Sequence, residues 1–325
     1  MGISTKNNFN ITRQRGLSII ELMIALSLGL LVLFAVLQVF TASLQSANLQ
    51  NEFSRVQENA RMSIQMLSRD IRAADYWGCM NDMSSISNRL DSGDDDYDVT
   101  LIPSGQQGVT GEDNVSSKTI ATIAVKDDTD TLTLRGSKGF SGLKINQPMP
   151  STAAVINIVP DQGTGIAYGD LLVLADCESG ELFTNTKADP DGTGIIQHNS
   201  GLFSGEDGII GNASPGNLSK VYDIDAQILS PYVKTYFIGQ NSAGGDSLFI
   251  SEDGIASELV RGVTDLQLEY NDGDNNYVSV GTPGLVMDAV RAISVELEIE
   301  SGDALSASPL VRTYTVTVNI RNRAL

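Results

Sequence analysis

From Leu17 to Phe40 the chain reads LSIIELMIALSLGLLVLFAVLQVF, apolar on every side, with Glu21 as the only ionisable residue. About 20 such residues in a helix cross a hydrocarbon layer about 30 Å thick, so the run is long enough to span a bilayer. No glycine or proline occurs between Gly29 and Gly78, and nothing there ends a helix at the membrane surface. The pattern then becomes one-sided. Leu49, Phe53, Val56, Ala60, Ile64, Leu67, Ile71 and Ala74 recur every three or four residues, with Arg55, Glu58, Arg61 and Arg69 between them. This periodicity predicts one helix from Leu17 to about Asp75, amphipathic in its second half.

After Cys79 the helical period fades. Ser84 to Gly111 is rich in Asp, Ser and Gly and reads as loop, as does Asp189 to Gly216, which bears short apolar touches. Strands are expected at 119–125, 131–135, 153–159, 170–175, 234–238, 247–251, 264–270, 289–300 and 312–321. Alternation is clearest in Ser294–Glu300 and Thr315–Ile320, which suit a sheet with one buried and one wetted face and could pair as a final hairpin. The expected fold class is α+β: a long N-terminal helix packed on a mainly antiparallel β head.

Charge fixes the topology. Lys6, Arg13 and Arg15 precede the apolar run and the next charge after it is Glu52, so the positive-inside rule puts the N-terminus in the cytoplasm and the head outside. A secretory signal peptide is the alternative; its apolar core is usually about 7–15 residues and ends at a small-residue cleavage site, neither of which fits well. The chain of 325 residues carries 21 Lys and Arg against 40 Asp and Glu, a formal charge of −19. Such an acidic body repels phosphate backbones, so no direct nucleic-acid binding is expected.

Glu21 is the unusual residue, because a carboxylate entering hydrocarbon is normally kept only with a partner. Counted from Leu17 it lies about 6 Å along the helix, near the headgroups, where an interfacial acid could also snorkel. Arg15-Gly16-Leu17-Ser18-Ile19-Ile20-Glu21 followed by an apolar helix resembles the class III leader of type IV prepilins and pseudopilins. The resemblance implies that a prepilin peptidase cuts between Gly16 and Leu17 and methylates the new N-terminus at Leu17, where many members have Phe. It implies that Glu21 pairs with the N-terminal amine of a neighbouring subunit. The chain would then comprise a leader (1–16), a membrane and filament-core helix (17–40), the amphipathic half of that helix (41–77) and a periplasmic or extracellular head (78–325).

A second resemblance lies in the head. Thr235–Ile238, Ser247–Phe249, Glu258–Tyr270 and Arg312–Arg323 look like the C-terminal half of PilW-type minor pilins, to which the J-type pseudopilins of type II secretion are related. What this implies is a non-enzymatic subunit of the inner membrane and then of the pilus tip. Its partners would be other minor pilins and the major pilin, and it would help to initiate assembly; a J-like pseudopilin or a tip adhesin is the alternative. Cys79 and Cys177, both outside the cytoplasm on this topology, are expected to form a disulfide, with a pair of buried thiols as the alternative.

No catalytic constellation stands out. His198 sits in a polar loop without a neighbouring acid or nucleophile and reads as solvated. No cofactor is expected. Asp94–Asp98 and Asn271–Asn276 lack the ligand spacing of an EF-hand loop, and calcium, which some pseudopilins bind, is the one ion left open. Glu296, Glu298 and Glu300 share a sheet face and read as solubilising.

Overall fold

The computed structural model describes Gly16 and residues 18–80, 85–100, 102, 107–140, 143–153, 155–201, 208–273, 276–301 and 309–323. The chain divides into two units between Phe53 and Ser54. Helix α1 spans Ile19–Ala73, 55 residues without interruption at Gly29. After it come β1 (Ile86–Asn88), β2 (Val109–Val115), β3 (Thr119–Ile120), β4 (Ile123–Ala124), β5 (Thr129–Gly139), β6 (Ile156–Asn157), β7 (Leu171–Ala175) and β8 (Gly180–Thr184). The rest comprises α2 (Pro190–Thr193), β9 (Ile195–Ile196), β10 (Gln227–Gln240), β11 (Asp246–Glu252), β12 (Ile255–Arg261), β13 (Val263–Asn271), β14 (Ala292–Glu300) and β15 (Val311–Asn319).

Within the second unit an eight-stranded sheet runs β1-β8-β7-β10-β11-β12, with β5 on the other edge of β10 and β2 on β5; a three-stranded sheet runs β13-β14-β15. All ladders are antiparallel except β1 on β8. The expected last hairpin is present as β14–β15, with Val295 opposite Val316. Several expectations need correction. Ser84–Gly111 holds β1 and the start of β2. The expected strand 119–125 is a small hairpin folded at Ala121 and Thr122, both at positive φ, and 153–159 keeps only β6.

The core strand β10 runs Gln227–Gln240, longer than the expected 234–238, and holds Pro231 within it. The edge that carries Val233 exchanges hydrogen bonds with Asp253 (2.9 Å each), and Pro231, two residues earlier, faces the same way. At that point β7 has stopped pairing, at Leu229, and β11 begins only at Lys234. A proline is tolerated in a central strand where no neighbour needs its N–H.

The two sheets meet at a corner made by Gly262. Its φ is +77°, and a Cβ there would lie 2.6 Å from the Glu300 carbonyl oxygen; it alone separates β12 from β13, which belong to different sheets. The open edge of β13 pairs with the Val278 backbone at Tyr270 and is satisfied by side chains at Thr264 and Leu268. Buried Asp130 accepts the Asn114 N–H (2.8 Å) and the Leu268 N–H (2.7 Å), and Lys126 Nζ donates to Thr264 O and Asp246 Oδ2 (2.7 Å each). Burial pushes the Asp130 carboxyl above its ordinary range against these N–H donors. Both sheets share one core with α1, where Val56, Ala60, Leu67, Ile71 and Ala74 pack with Tyr236, Leu248, Leu266, Val295 and Leu297.

Candidate functional site

Two parts of α1 carry the chemistry that the sequence singled out. At the start, Gly16 is exposed and Leu17 lies outside the described residues, as does the leader before Gly16. Glu21 stands in the first turn of α1, exposed, with no ion pair among the described residues. From Leu22 to Asn51 the chain has no charged residue, and the large side chains between Ile19 and Phe40 are exposed, Leu31 by 65% and Val39 by 70%. Two hydroxyls turn inward to the helix: Ser27 Oγ donates to Met23 O (2.8 Å) and Thr41 Oγ1 to Gln38 O (3.0 Å). Internal satisfaction of polar groups is what a hydrocarbon solvent demands. α1 thus contains one stretch long and apolar enough to span a membrane.

The buried stripe of the distal part starts at Val56. Leu49 and Phe53, expected to belong to it, are 57% and 40% exposed; a repeat reveals which side of a helix is oily, not how far a partner extends along it. Two polar residues interrupt the stripe, Ser63 and Asp70, and only the second is charged. Asp70 accepts from Arg69 Nε, Lys234 Nζ and Tyr236 Oη, each at 2.8 Å, and Lys234 also meets Glu252 at 2.9 Å. Burial opposes ionisation of Asp70, but these donors outweigh it and hold the carboxyl below its usual range. Lys234 is likewise disfavoured by burial yet raised by Asp70 and Glu252. The network fixes α1 on β10 by direction as well as by oil.

The helix ends at Ala73, close to the expected end at about Asp75, and residues from β10 and from the chain's C-terminal segment cap it. Asn322 Nδ2 donates to Ala74 O (2.8 Å) and Tyr232 Oη to Ala73 O (3.2 Å). Asp75 turns the backbone at φ +60°; its carboxylate receives Trp77 Nε1 (3.0 Å) and Arg323 Nε (2.5 Å). Orphan carbonyls at a helix C-terminus are thus satisfied by residues 159 and 248 positions away. Just beyond, Cys79 and Cys177 are bonded, with Cα atoms 4.8 Å apart across 98 residues of chain. Cys177 lies in the β7–β8 turn, so the bond ties the helix exit to the eight-stranded sheet.

His198 is not the solvated loop residue that its sequence context suggested. It is 4% exposed, its Nδ1 lies 2.7 Å from Gly216 O, and its ring packs edge-on to Phe183 at 5.7 Å. The cause is Asn212, whose amide mimics a strand. It accepts the Thr184 N–H and donates to Thr184 O, 2.8 Å each, which sews the long loop onto β8. A lone Asn in a Gly-rich stretch gives no sequence signal for this.

The Asp94–Asp98 stretch uses its carboxylates on backbone N–H groups: Asp94 accepts from Asp96 beside it and from distant Gly211, and Asp96 from distant Gly208. Among the described residues no group of three or more His, Cys, Asp or Glu converges as metal ligands do. Arg135 is a buried cation, 6% exposed; it donates to Gln107 O and Thr110 Oγ1, and burial lowers its pKa. The chain matches no family model, no curated protein and no solved structure.

Proposed function

We propose that this chain is a low-copy subunit of a type IV pilus, of the PilW-type minor pilin class, held in the inner membrane before assembly and working at the filament tip. The observation that carries the reading is the single long helix. A charge-free, outward-facing apolar stretch follows Glu21 and runs without a break into a helix that anchors a disulfide-bonded β head. A signal sequence needs no such continuation, and a soluble enzyme needs no such apolar surface. Ser18 to Phe40 would lie in lipid and then against other subunits' helices, and Glu21 would meet the amine of a neighbouring Leu17, supplying the missing countercharge.

Size and charge favour low copy number. Repeating so acidic a head at every position of a shaft would set like charges side by side, whereas a tip site relaxes both crowding and repulsion. The test is intact mass of membrane-extracted protein together with proteomics of sheared filaments. The expected mass starts at Leu17, and abundance falls far below that of the major subunit, while deletion lowers filament number more than filament composition. A retained Met1 in cells with an active prepilin peptidase, or an abundance like the major subunit's, overturns the reading.

A further inference from the structure

Four Asn-X-Ser/Thr triplets occur in the chain: Asn10-Ile11-Thr12, Asn114-Val115-Ser116, Asn212-Ala213-Ser214 and Asn217-Leu218-Ser219. Such a triplet is the acceptor pattern for an asparagine-linked glycan, a bulky group that needs a surface position outside the cytoplasm. Triplets this short recur by chance, so the fold has to choose among them. Asn10 precedes the apolar run, on the cytoplasmic side of the topology that the charges imply. Asn212 is 2% exposed, and its amide is engaged at both atoms: Oδ1 accepts the Thr184 N–H, and Nδ2 donates to Thr184 O and Asn199 O. Asn217 is exposed, but its triplet is stitched down. Leu218 is buried and donates its N–H to Thr152 O (3.0 Å), and the Ser219 hydroxyl and N–H both bind the buried carboxylate of Glu181.

Asn114 differs on each count. The β2–β5 ladder pairs Glu112 with Thr131 and Val115 with Thr129, and its register shifts between them. Asp113 and Asn114 therefore form a bulge with no β5 residue opposite. Asn114 sits at φ +46°, in the left-handed region that asparagine enters more readily than most residues. The backbone there is pinned from beneath: the Asn114 N–H donates to Asp130 Oδ1 (2.8 Å), and buried Val115 packs with Val125, Phe237 and Phe249. The side chains on either side of Val115 are free. Asn114 and Ser116 are both exposed, and among the described residues neither the amide nor the hydroxyl makes a hydrogen bond. An amide nitrogen and the hydroxyl two residues on are thus offered together, with nothing to strip away first.

We propose that Asn114 is the acceptor of an asparagine-linked glycan, transferred outside the cytoplasm from a lipid-diphosphate-linked oligosaccharide. In the transfer, Asn114 Nδ2 bonds to the anomeric carbon of the first sugar as the bond from that carbon to the diphosphate oxygen breaks. The lipid diphosphate leaves, and one Nδ2 proton passes to a carboxylate base of the transferase; nothing is oxidised or reduced. The site rests on the outward-facing head of the reading above and is independent of filament membership. The Cys79–Cys177 bond favours the same compartment.

The test is tryptic mass mapping of the full-length protein taken from its own membrane fraction. Trypsin cuts after Arg89, Lys118, Lys187 and Lys220, and no other lysine or arginine lies within 90–118 or 188–220. Asn114 is therefore read in one peptide, and Asn212 with Asn217 in the other. A glycan-sized mass addition with sugar fragment ions is expected on 90–118, and an unmodified 188–220. Asn114→Gln and Ser116→Ala should each abolish the addition, whereas Ser116→Thr, which keeps the triplet, should retain it. Formation of the Cys79–Cys177 bond in each variant reports that the head still folds, and Ser116→Ala leaves the positive-φ residue itself unchanged. A bare 90–118 peptide, an addition that survives Asn114→Gln, or an addition on 188–220 instead overturns the site. Protease accessibility of the head in spheroplasts is scored in the same cells. A head on the cytoplasmic side sinks the outward-facing reading and the site with it, whereas an accessible head with a bare 90–118 peptide sinks the site alone.

Discussion

Two stretches of α1 share one backbone conformation and meet opposite demands. Between Leu22 and Phe40 the side chains are apolar all round and exposed, so their surroundings must be supplied by something other than this chain. From Val56 to Ala74 one side is apolar and buried, the other charged and wet. Helical periodicity is absent from the first because a uniform environment imposes none; it is present in the second because a sheet covers one side only. The helix is thus an adaptor between a hydrocarbon-like solvent and a water-soluble head.

The sharpest way to break this comparison is one substitution made twice. Leu67→Asp puts a carboxylate where Leu67 is fully buried; it should destabilise the head by more than about 4 kcal/mol, read as loss of a cooperative urea transition. Leu31→Asp should leave the head's transition unmoved and instead cost membrane insertion about 2.5–3.5 kcal/mol, read as loss from the membrane fraction. Equal effects of the two on head stability would mean that the halves are not energetically distinct.

Next in size is the disulfide. Replacing Cys79 and Cys177 together by serine frees a loop of 98 residues, for which chain entropy predicts a loss of about 4–5 kcal/mol as an upper bound. The head's urea midpoint should drop while the exposed half of α1 keeps its helicity in detergent. An unchanged midpoint would show that the helix exit is held by Asn322, Arg323 and Tyr232 alone.

Third is Asp70, the charged insert in the buried stripe. Asp70→Asn removes the charge that Lys234 faces and should cost about 3 kcal/mol, as breaking a buried pair does. Because the folded carboxyl lies below its ordinary value, its contribution is present above the unfolded pKa and disappears as pH falls through the folded one. Asp130 has the opposite sign: burial raises it, so protonation on acidification relieves a penalty of the folded state. The acid limb of stability in the wild type should therefore be shallower than Asp70 alone would give. It should flatten further in Asp70→Asn, and an acid limb equally steep in both chains would deny Asp70 this role.

The contrast within α1 was legible in the sequence almost throughout, since the apolar run, its lone acid and the later periodicity are local facts. The limit of the buried stripe at Val56 was not, because coverage depends on residues far along the chain. The last hairpin was legible from alternation. The extension of β10 past Pro231 has no local signal, since a proline counts against a central strand unless the neighbouring gap is known, and β12 is hard to tell from β13 because Gly262 alone turns the corner. Burial of His198 depends on Asn212 and Thr184, a pairing at a separation of 28 residues with no pattern to announce it. The processing site at Gly16 and Leu17 is a matter of sequence alone, and the expected Cys79–Cys177 bond is present.

The smallest expected effect tests whether the exposed half of α1 is one rigid rod. Gly29 is its only glycine, an added Cβ there meets nothing within 4 Å, and the backbone is helical. Gly29→Ala should therefore stabilise the helix locally by about 0.5–1 kcal/mol, through lost freedom of the unfolded segment. Amide exchange around Gly29 in detergent should slow about two- to fivefold, with no shift in the head's urea midpoint, since the substitution lies in the other unit. On the filament reading proposed above, filament number then separates two uses of the same residue. If α1 enters the filament unbroken, Gly29→Ala leaves the count unchanged. A marked fall, with exchange slowed as expected and processing at Gly16 intact, would mean that the helix must open at Gly29 during assembly, and the picture of a continuous adaptor would hold only before the subunit leaves the membrane.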